Sequence, residues 1–184
     1  MRIEELKKKN EVQVRWVAFP LHPETPEDGQ TLEELFAGRP VDIEGMKKHL
    51  RKVADDLGLP LGDRKKTFNS RLAQELAKWA ESQGKGDAFH AAVFRAYYVD
   101  EKNIGKVDEL IKLALSVGLS EEEARHVLES RAFKKAVDAD WSRSRTLGIT
   151  AVPTFVMSGQ AAVGFQPYDV LEQLVRTDQV KKKG

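Results

Sequence analysis

The sequence contains no cysteine, and this absence removes whole classes of chemistry. Without a thiol the chain forms no disulfide, offers no thiolate nucleophile and holds no metal through sulfur. It also lacks an excess of either charge, since 30 basic residues stand against 29 acidic ones. A balanced chain gives no electrostatic footprint for a polyanion, so we expect no nucleic-acid partner.

Long apolar runs are missing as well. The apolar stretches are far shorter than the roughly 20 residues that span a bilayer, and Met1 leads directly into charged residues. We therefore expect no signal peptide, no membrane anchor and a cytoplasmic location. The four histidines, His22, His49, His90 and His126, lie on different predicted elements without ligand spacing. We expect neither a metal nor a cofactor.

The first 30 residues predict a helix end, a strand and a loop. Ile3 and Leu6 have helical spacing, and residues 12–19, VQVRWVAF, alternate as a half-buried strand does. Residues 20–30, PLHPETPEDGQ, contain three prolines that prevent either element from continuing.

A helical block follows over residues 31–130, and capping residues mark its boundaries. Thr31, Asp42, Asp87 and Ser120 stand where a side-chain oxygen can cap a helix, and Ser120 with Glu123 has the form of a capping box. Glycines end several of these helices. We expect helices to hold more than half of the chain.

Strand residues return near the C-terminus. Thr154–Met157 and Ala161–Phe165 flank a tight turn at Ser158–Gly159, and Pro167 opens a final amphipathic helix. A lone strand and a two-stranded hairpin are each marginal, so we expect the strand at 12–19 and the hairpin to join in one sheet. The helical block is then an insertion.

Five strings of the sequence resemble a known family, in order and in approximate spacing. They are VRWVAFPLHPE, GLPLGDRKKTFNSRLAQELAKWA, FHAAVFRAYYVDEKNIG, LGITAVPTFVMSG and VGFQPYDVLEQLV. They resemble the FrnE-type branch of the DsbA-like thioredoxin-fold oxidoreductases, which is related to the 2-hydroxychromene-2-carboxylate isomerases. The resemblance implies an α/β fold: a thioredoxin-like domain over residues 1–30 and 131–184, with an inserted α-helical domain over residues 31–130.

The resemblance breaks down at the start of the chain. In the family that this chain resembles, a strand comes first. A Cys-x-x-Cys turn follows at the start of a helix, and that helix leads into the next strand. Here RIEELKKKN matches only the end of that helix. The resemblance therefore implies a sheet without its first strand, whose unpaired backbone groups favour self-association.

The resemblance also implies where a substrate binds. The bond between Val152 and Pro153 matches the cis-proline of the family, and Val152 there offers its backbone N–H and C=O to an extended peptide or thiol substrate. Val152, Pro153 and Thr154 are therefore the candidate binding residues. Asn69 and Arg71 stand in one of the strings that resemble the family and are possible groove residues, for which a helix cap and a surface arginine are the alternatives. His22 is a third possible groove residue because it lies in the loop after the predicted strand, and a solvated histidine is the alternative.

Three functions stay open on the sequence. The leading hypothesis is a truncated form of a cytoplasmic thiol-disulfide oxidoreductase, which is redox-inert because this sequence has no cysteine. The second is a glutathione-dependent isomerase of the hydroxychromene-carboxylate type, whose family motif places a serine in the missing turn. The third is a peptide-binding module without redox chemistry, which the absence of every cysteine favours.

Disulfide exchange requires a thiolate that attacks a disulfide sulfur. We therefore expect the purified protein neither to reduce insulin nor to oxidise dithiols above the rate in buffer. Insulin turbidity and free-thiol titration measure the two activities, with a thioredoxin as the positive control. Turnover that persists through exhaustive purification would contradict this interpretation.

Overall fold

The computed structural model describes residues 2–10 and 12–181, and helices make up more than half of them, as expected. The helices are α1 (Arg2–Lys9), α2 (Leu32–Leu35), α3 (Ile43–Asp56), α4 (Arg71–Ser82), α5 (Gly86–Tyr98), α6 (Val107–Ser116), α7 (Glu121–Ser130), α8 (Lys134–Thr146) and α9 (Tyr168–Lys181). The strands are β1 (Gln30–Thr31), β2 (Lys66–Thr67), β3 (Thr154–Met157) and β4 (Gln160–Val163). Across these described ranges, no helix has both the length and the apolarity needed to cross a bilayer.

Local sequence explains where the helices begin. The Thr31 hydroxyl accepts the N–H of Glu34 at 3.1 Å, and the Glu34 carboxylate accepts the N–H of Thr31 at 2.7 Å. The Asp42 carboxylate accepts the N–H of Gly45 at 2.8 Å, and Ser120 caps α7 in the same way. The caps predicted at Thr31, Asp42 and Ser120 are confirmed, and each gives a partner to an N–H that a first helical turn leaves open. The cap predicted at Asp87 is wrong, because Asp87 lies inside α5 and Lys85 holds the cap position.

The chain divides into two compact units. Unit 1 consists of Met1–Leu21 with Ala139–Gly184, and unit 2 consists of His22–Asp138. The division falls within α8. The domain boundaries implied by the resemblance, which assign residues 31–130 to the helical domain, stay a prediction.

Helices α4 to α7 enclose the core of unit 2. Each contributes apolar residues at helical spacing, so one side of every helix turns inward. Leu76 of α4, Phe89 of α5 and Leu110 of α6 are fully buried, and Leu128 of α7 lies in the same cluster. This core has a larger set of buried residues than the core of unit 1.

One carboxylate lies inside unit 2 with no exposure to solvent. Glu75 of α4 accepts a hydrogen bond from Arg71 Nε at 2.6 Å and two from the guanidinium of Arg131 at 2.7 Å. Burial alone would raise the pKa of Glu75, but the hydrogen bonds from Arg131 and Arg71 outweigh it and lower that pKa. Because Arg131 ends α7, these bonds connect the end of α7 to α4.

In unit 1, α1 and α9 pack on one face of the hairpin formed by β3 and β4. Leu6 of α1 and Leu171 and Val175 of α9 are buried there, with Phe155 and Met157 of β3 packed against them. The predicted hairpin is confirmed, since the two strands pair antiparallel across a two-residue turn.

The predicted strand at residues 12–19 is wrong, and so is the single sheet that it was expected to join. The described residues contain two separate two-stranded sheets, β1–β2 and β3–β4, and residues 12–19 belong to neither. The N–H of Ala18 instead donates to the carboxylate of Asp140 on α8, at 2.9 Å. An alternating pattern becomes a strand only where a neighbouring strand supplies hydrogen-bonding partners.

Replacing Glu75 with Gln should lower the free energy of unfolding by about 3 kcal/mol, because it removes the negative charge from a buried ion pair. The folded-state pKa of Glu75 is lowered, so its ionised form contributes stability above the usual glutamate pKa. That contribution is lost as the pH falls through the folded-state pKa. Urea unfolding at neutral and acid pH should therefore show a flatter acid dependence for Glu75→Gln than for the wild type.

The matched control is Glu81→Gln on the same helix, where the carboxylate is exposed and lies 3.4 Å from Lys78. An exposed pair of this kind contributes less than about 1 kcal/mol. Equal losses of stability in the two variants would contradict a special role for the buried carboxylate.

Candidate functional site

The candidate binding segment lies at the start of β3. The peptide bond between Val152 and Pro153 is cis, as predicted. Val152 is 44% exposed and Pro153 is also exposed, whereas Thr154 is half-buried and its hydroxyl donates to the C=O of Ala151 at 2.6 Å. The segment is therefore accessible and is held by a hydrogen bond within its own loop.

The backbone groups along this segment alternate between the two edges of the strand. The N–H of Gly164 donates to the C=O of Pro153 at 2.7 Å, so Pro153 turns its carbonyl toward β4. Residues that bond the neighbouring strand alternate with residues that do not in an antiparallel pair. Thr154 and Val156 therefore turn their N–H and C=O groups to the outer edge of β3. Within the described part of the chain, no strand pairs with that edge.

Three large side chains exposed around this hairpin are apolar. Val156 and Val163 lie on the face opposite the packed side chains of Phe155 and Met157, and Phe165 follows β4; all three are exposed. The surface combines unpaired backbone groups with uncharged side chains. It is suited chemically to an extended apolar segment.

Asn69, one of the possible groove residues, joins the proline-rich loop to α4. Its amide nitrogen donates to the carbonyl of Pro23 at 3.2 Å and to the carbonyl of Thr25 at 2.8 Å. Its amide oxygen accepts the N–H of Arg71 at 2.9 Å. The side chain thus gives partners to backbone groups of a loop that forms no regular structure.

Arg71 is mostly buried, and several groups of unit 2 surround its guanidinium. It donates to Glu75 at 2.6 Å, to Asp138 at 2.7 Å and to the carbonyl of Lys134 at 2.9 Å. These bonds attach the first turn of α8 to α4. The structure therefore shows a structural use for this arginine, and its role in a groove stays a prediction.

His22 lies beside an aromatic ring. Its ring meets that of Phe36 edge to face, with centroids 6.4 Å apart. Burial, and then the charge of Arg39, lower the pKa of His22. Among the described residues, no group of three or more His, Asp or Glu side chains is arranged so that it could bind a metal ion. The groove roles of His22 and Asn69 also stay predictions.

The sequence analysis did not single out Asp140, which binds the backbone of the segment over residues 12–19. Its carboxylate is nearly fully buried and accepts the N–H of Ala18 at 2.9 Å. Asp140 lies three residues after the buried Val137 and four before the buried Ser144, which places it on the inward face of α8. The sequence signal that could have identified Asp140 is a charged residue on the apolar side of a predicted helix. The same signal would have identified Glu75.

A family model described as a DSBA-like thioredoxin domain matches residues 1–176 of this chain. The chain is 28% identical over 182 residues to the uncharacterized protein YwbO of Bacillus subtilis, covering 97% of this chain and 88% of that protein. It is 29% identical over 138 residues to the ClpXP adapter protein SpxH of Halalkalibacterium halodurans, covering 68% of this chain and 45% of that protein.

Two solved structures show the same fold. The probable DsbA oxidoreductase SCO1869 from Streptomyces coelicolor superposes with a TM-score of 0.87 at 27% identity, covering 97% of this chain and 82% of that chain. A 2-hydroxychromene-2-carboxylate isomerase superposes with a TM-score of 0.73 at 18% identity, covering 96% and 84% of the two chains. At that identity the isomerase supports the fold alone.

Replacing Asn69 with Ala should loosen residues 22–30 and lower the free energy of unfolding by about 2 kcal/mol, because it leaves backbone groups without partners. Hydrogen exchange followed by mass spectrometry should show faster amide exchange in that loop. Gln83→Ala, at an exposed position after α4, is the control and should leave the exchange unchanged. Unchanged exchange of the loop in Asn69→Ala would show that other contacts hold it.

Proposed function

The chain belongs to the DsbA-like thioredoxin domain family, and from that premise we propose that it binds extended apolar polypeptide along the outer edge of β3. In this proposal it is the substrate-binding part of a FrnE-type thiol-disulfide oxidoreductase, located in the cytoplasm. The exchange chemistry requires cysteine, and this sequence has none. Binding without disulfide exchange is therefore the activity that we assign to the chain itself.

The observation that carries the proposal is the unpaired edge of β3. Thr154 and Val156 turn their backbone groups to this edge, which the exposed Val152 adjoins, and an extended peptide can add to it as a further strand. Main-chain hydrogen bonds supply affinity in this mode of recognition, and side-chain contacts supply selectivity. The strand has the sequence TFVM and carries no charge, so it favours apolar segments over charged ones.

A second candidate is a protein-binding adapter without enzymatic activity. One relative, from Halalkalibacterium halodurans, bears the name ClpXP adapter protein. An adapter needs a binding surface and no thiol, which agrees with a sequence that contains no cysteine. The two candidates differ in selectivity, since an adapter recognises one partner protein whereas an oxidoreductase site accepts many unfolded sequences.

Replacing Val152 with Asp should weaken the binding of an unfolded apolar peptide by about tenfold, because it removes an exposed apolar contact worth roughly 1.5 kcal/mol. Fluorescence anisotropy with a labelled, cysteine-free peptide measures the change. The same peptide with alternate backbone nitrogens methylated should also bind more weakly, since it loses hydrogen bonds to the strand edge.

Leu115→Asp is the matched control, because Leu115 on α6 is a similarly exposed apolar residue of unit 2. It should bind the peptide as the wild type does. Equal affinity of wild type and Val152→Asp would contradict the proposed edge. Binding of glutathione without binding of any peptide would instead favour the isomerase-like function.

A further inference from the structure

The loop that leads into β3 has two of its carbonyls held by hydrogen bonds within the chain. The Thr154 hydroxyl donates to the C=O of Ala151 at 2.6 Å. The N–H of Gly164 donates to the C=O of Pro153 at 2.7 Å. Val152 lies between these two carbonyls with its side chain 44% exposed, and among the described residues no group hydrogen-bonds its backbone. The loop is thus fixed on both sides of a residue whose own backbone is open.

Each held carbonyl also fixes the N–H of the residue that follows it. The two groups belong to one planar peptide unit, and in a trans unit they point in opposite directions. The unit of Ala151 and Val152 is trans, so the N–H of Val152 points away from the Thr154 hydroxyl. The unit of Pro153 and Thr154 is also trans, so the N–H of Thr154 points away from β4. The two hydrogen bonds therefore set the direction of two backbone donors at the start of the strand.

Threonine has the side chain that this geometry requires. Its hydroxyl reaches a carbonyl three residues back along the chain, and its branched Cβ restricts rotation about χ1, so little freedom is lost when the bond forms. Valine has nearly the same shape and a similar preference for strands, but it has no donor. Serine keeps the donor on an unbranched side chain. Substitution can therefore separate the hydrogen bond of Thr154 from its packing in the strand.

We propose that the Thr154 hydroxyl is a positioning group for the binding edge. By holding the carbonyl of Ala151, it keeps the peptide unit in the orientation that presents the N–H of Val152 to a bound polypeptide. Thr154 acts in this way through Val152, whose backbone makes the contact with the ligand. This role rests on the proposed function, and it adds the residue that prepares the loop before a ligand arrives.

A prepared loop raises affinity through the population of the binding conformation. When only a fraction of the molecules have that conformation, the apparent dissociation constant rises in inverse proportion to the fraction. Removing one hydrogen bond within the chain changes such an equilibrium by about fivefold. The loss appears in the association rate, because fewer molecules are ready to bind. The dissociation rate instead reports the contacts within the complex.

Stopped-flow fluorescence anisotropy with a labelled, cysteine-free apolar peptide tests this role. Thr154→Val should associate about fivefold more slowly than the wild type and dissociate at a similar rate. Thr154→Ser should recover most of the association rate, because it restores the hydroxyl. The matched control is Thr177→Val on α9, where the hydroxyl donates to the carbonyl of Gln173 at 2.9 Å, and it should associate as the wild type does.

NMR relaxation tests the loop of the free protein, without any ligand. In the wild type and in Thr154→Ser, the order parameter of the Val152 N–H should be close to that of a rigid backbone, about 0.85. In Thr154→Val it should fall toward the value of a flexible loop, while Thr177→Val leaves it unchanged. Circular dichroism confirms that each variant is folded.

The outcomes separate this role from the proposed function. If the wild type binds the peptide and Thr154→Val associates equally fast, or differs only in its dissociation rate, the positioning role is overturned and the proposed function stands. If the wild type binds no peptide, the proposed function is overturned. An unchanged order parameter of Val152 in Thr154→Val shows that the hydroxyl does not hold the loop, and it overturns the positioning role whatever the peptide does.

Discussion

Hydrogen-bonding partners for the backbone of β3 are the constraint on which unit 1 depends. One edge of this strand pairs with β4, and one face packs against α1 and α9. A two-stranded hairpin is marginal by itself, so the contacts of Phe155 and Met157 with the two helices stabilise it. The other edge and the other face of β3 are accessible. No described strand pairs with the backbone groups on that edge, so they can hydrogen-bond an additional strand.

Polar side chains hydrogen-bond the backbone where no neighbouring strand does so. In unit 1 the Asp140 carboxylate holds the N–H of Ala18, and in unit 2 Asn69 holds two carbonyls of the loop that follows His22. Backbone N–H and C=O groups need partners whether or not a sheet forms. A single carboxylate or amide therefore fixes a segment that hydrogen bonds to a neighbouring strand would fix in a sheet. Replacing such a residue leaves the backbone groups of that segment without partners.

Recognition and chemistry are separable in this fold. Thiol chemistry depends on cysteine, but binding at a strand edge depends on backbone groups that any sequence possesses. The polypeptide binding that we propose for this chain therefore does not require cysteine.

The sequence by itself determined most of the helices, the caps at Thr31, Asp42 and Ser120, and the hairpin, because these features depend on neighbours within a few residues. Thr31 and Asp42 cap their helices through bonds to residues three positions away, and the two-residue turn closes β3 onto β4. Only the tertiary structure decided the fate of residues 12–19 and the role of Glu75. A strand needs a partner that no local pattern supplies, and the carboxylate of Glu75 meets Arg131, which is 56 residues away along the chain. Periodicity treats a charged residue as exposed, so a buried charge is recognised only when the fold brings its counter-charge to it.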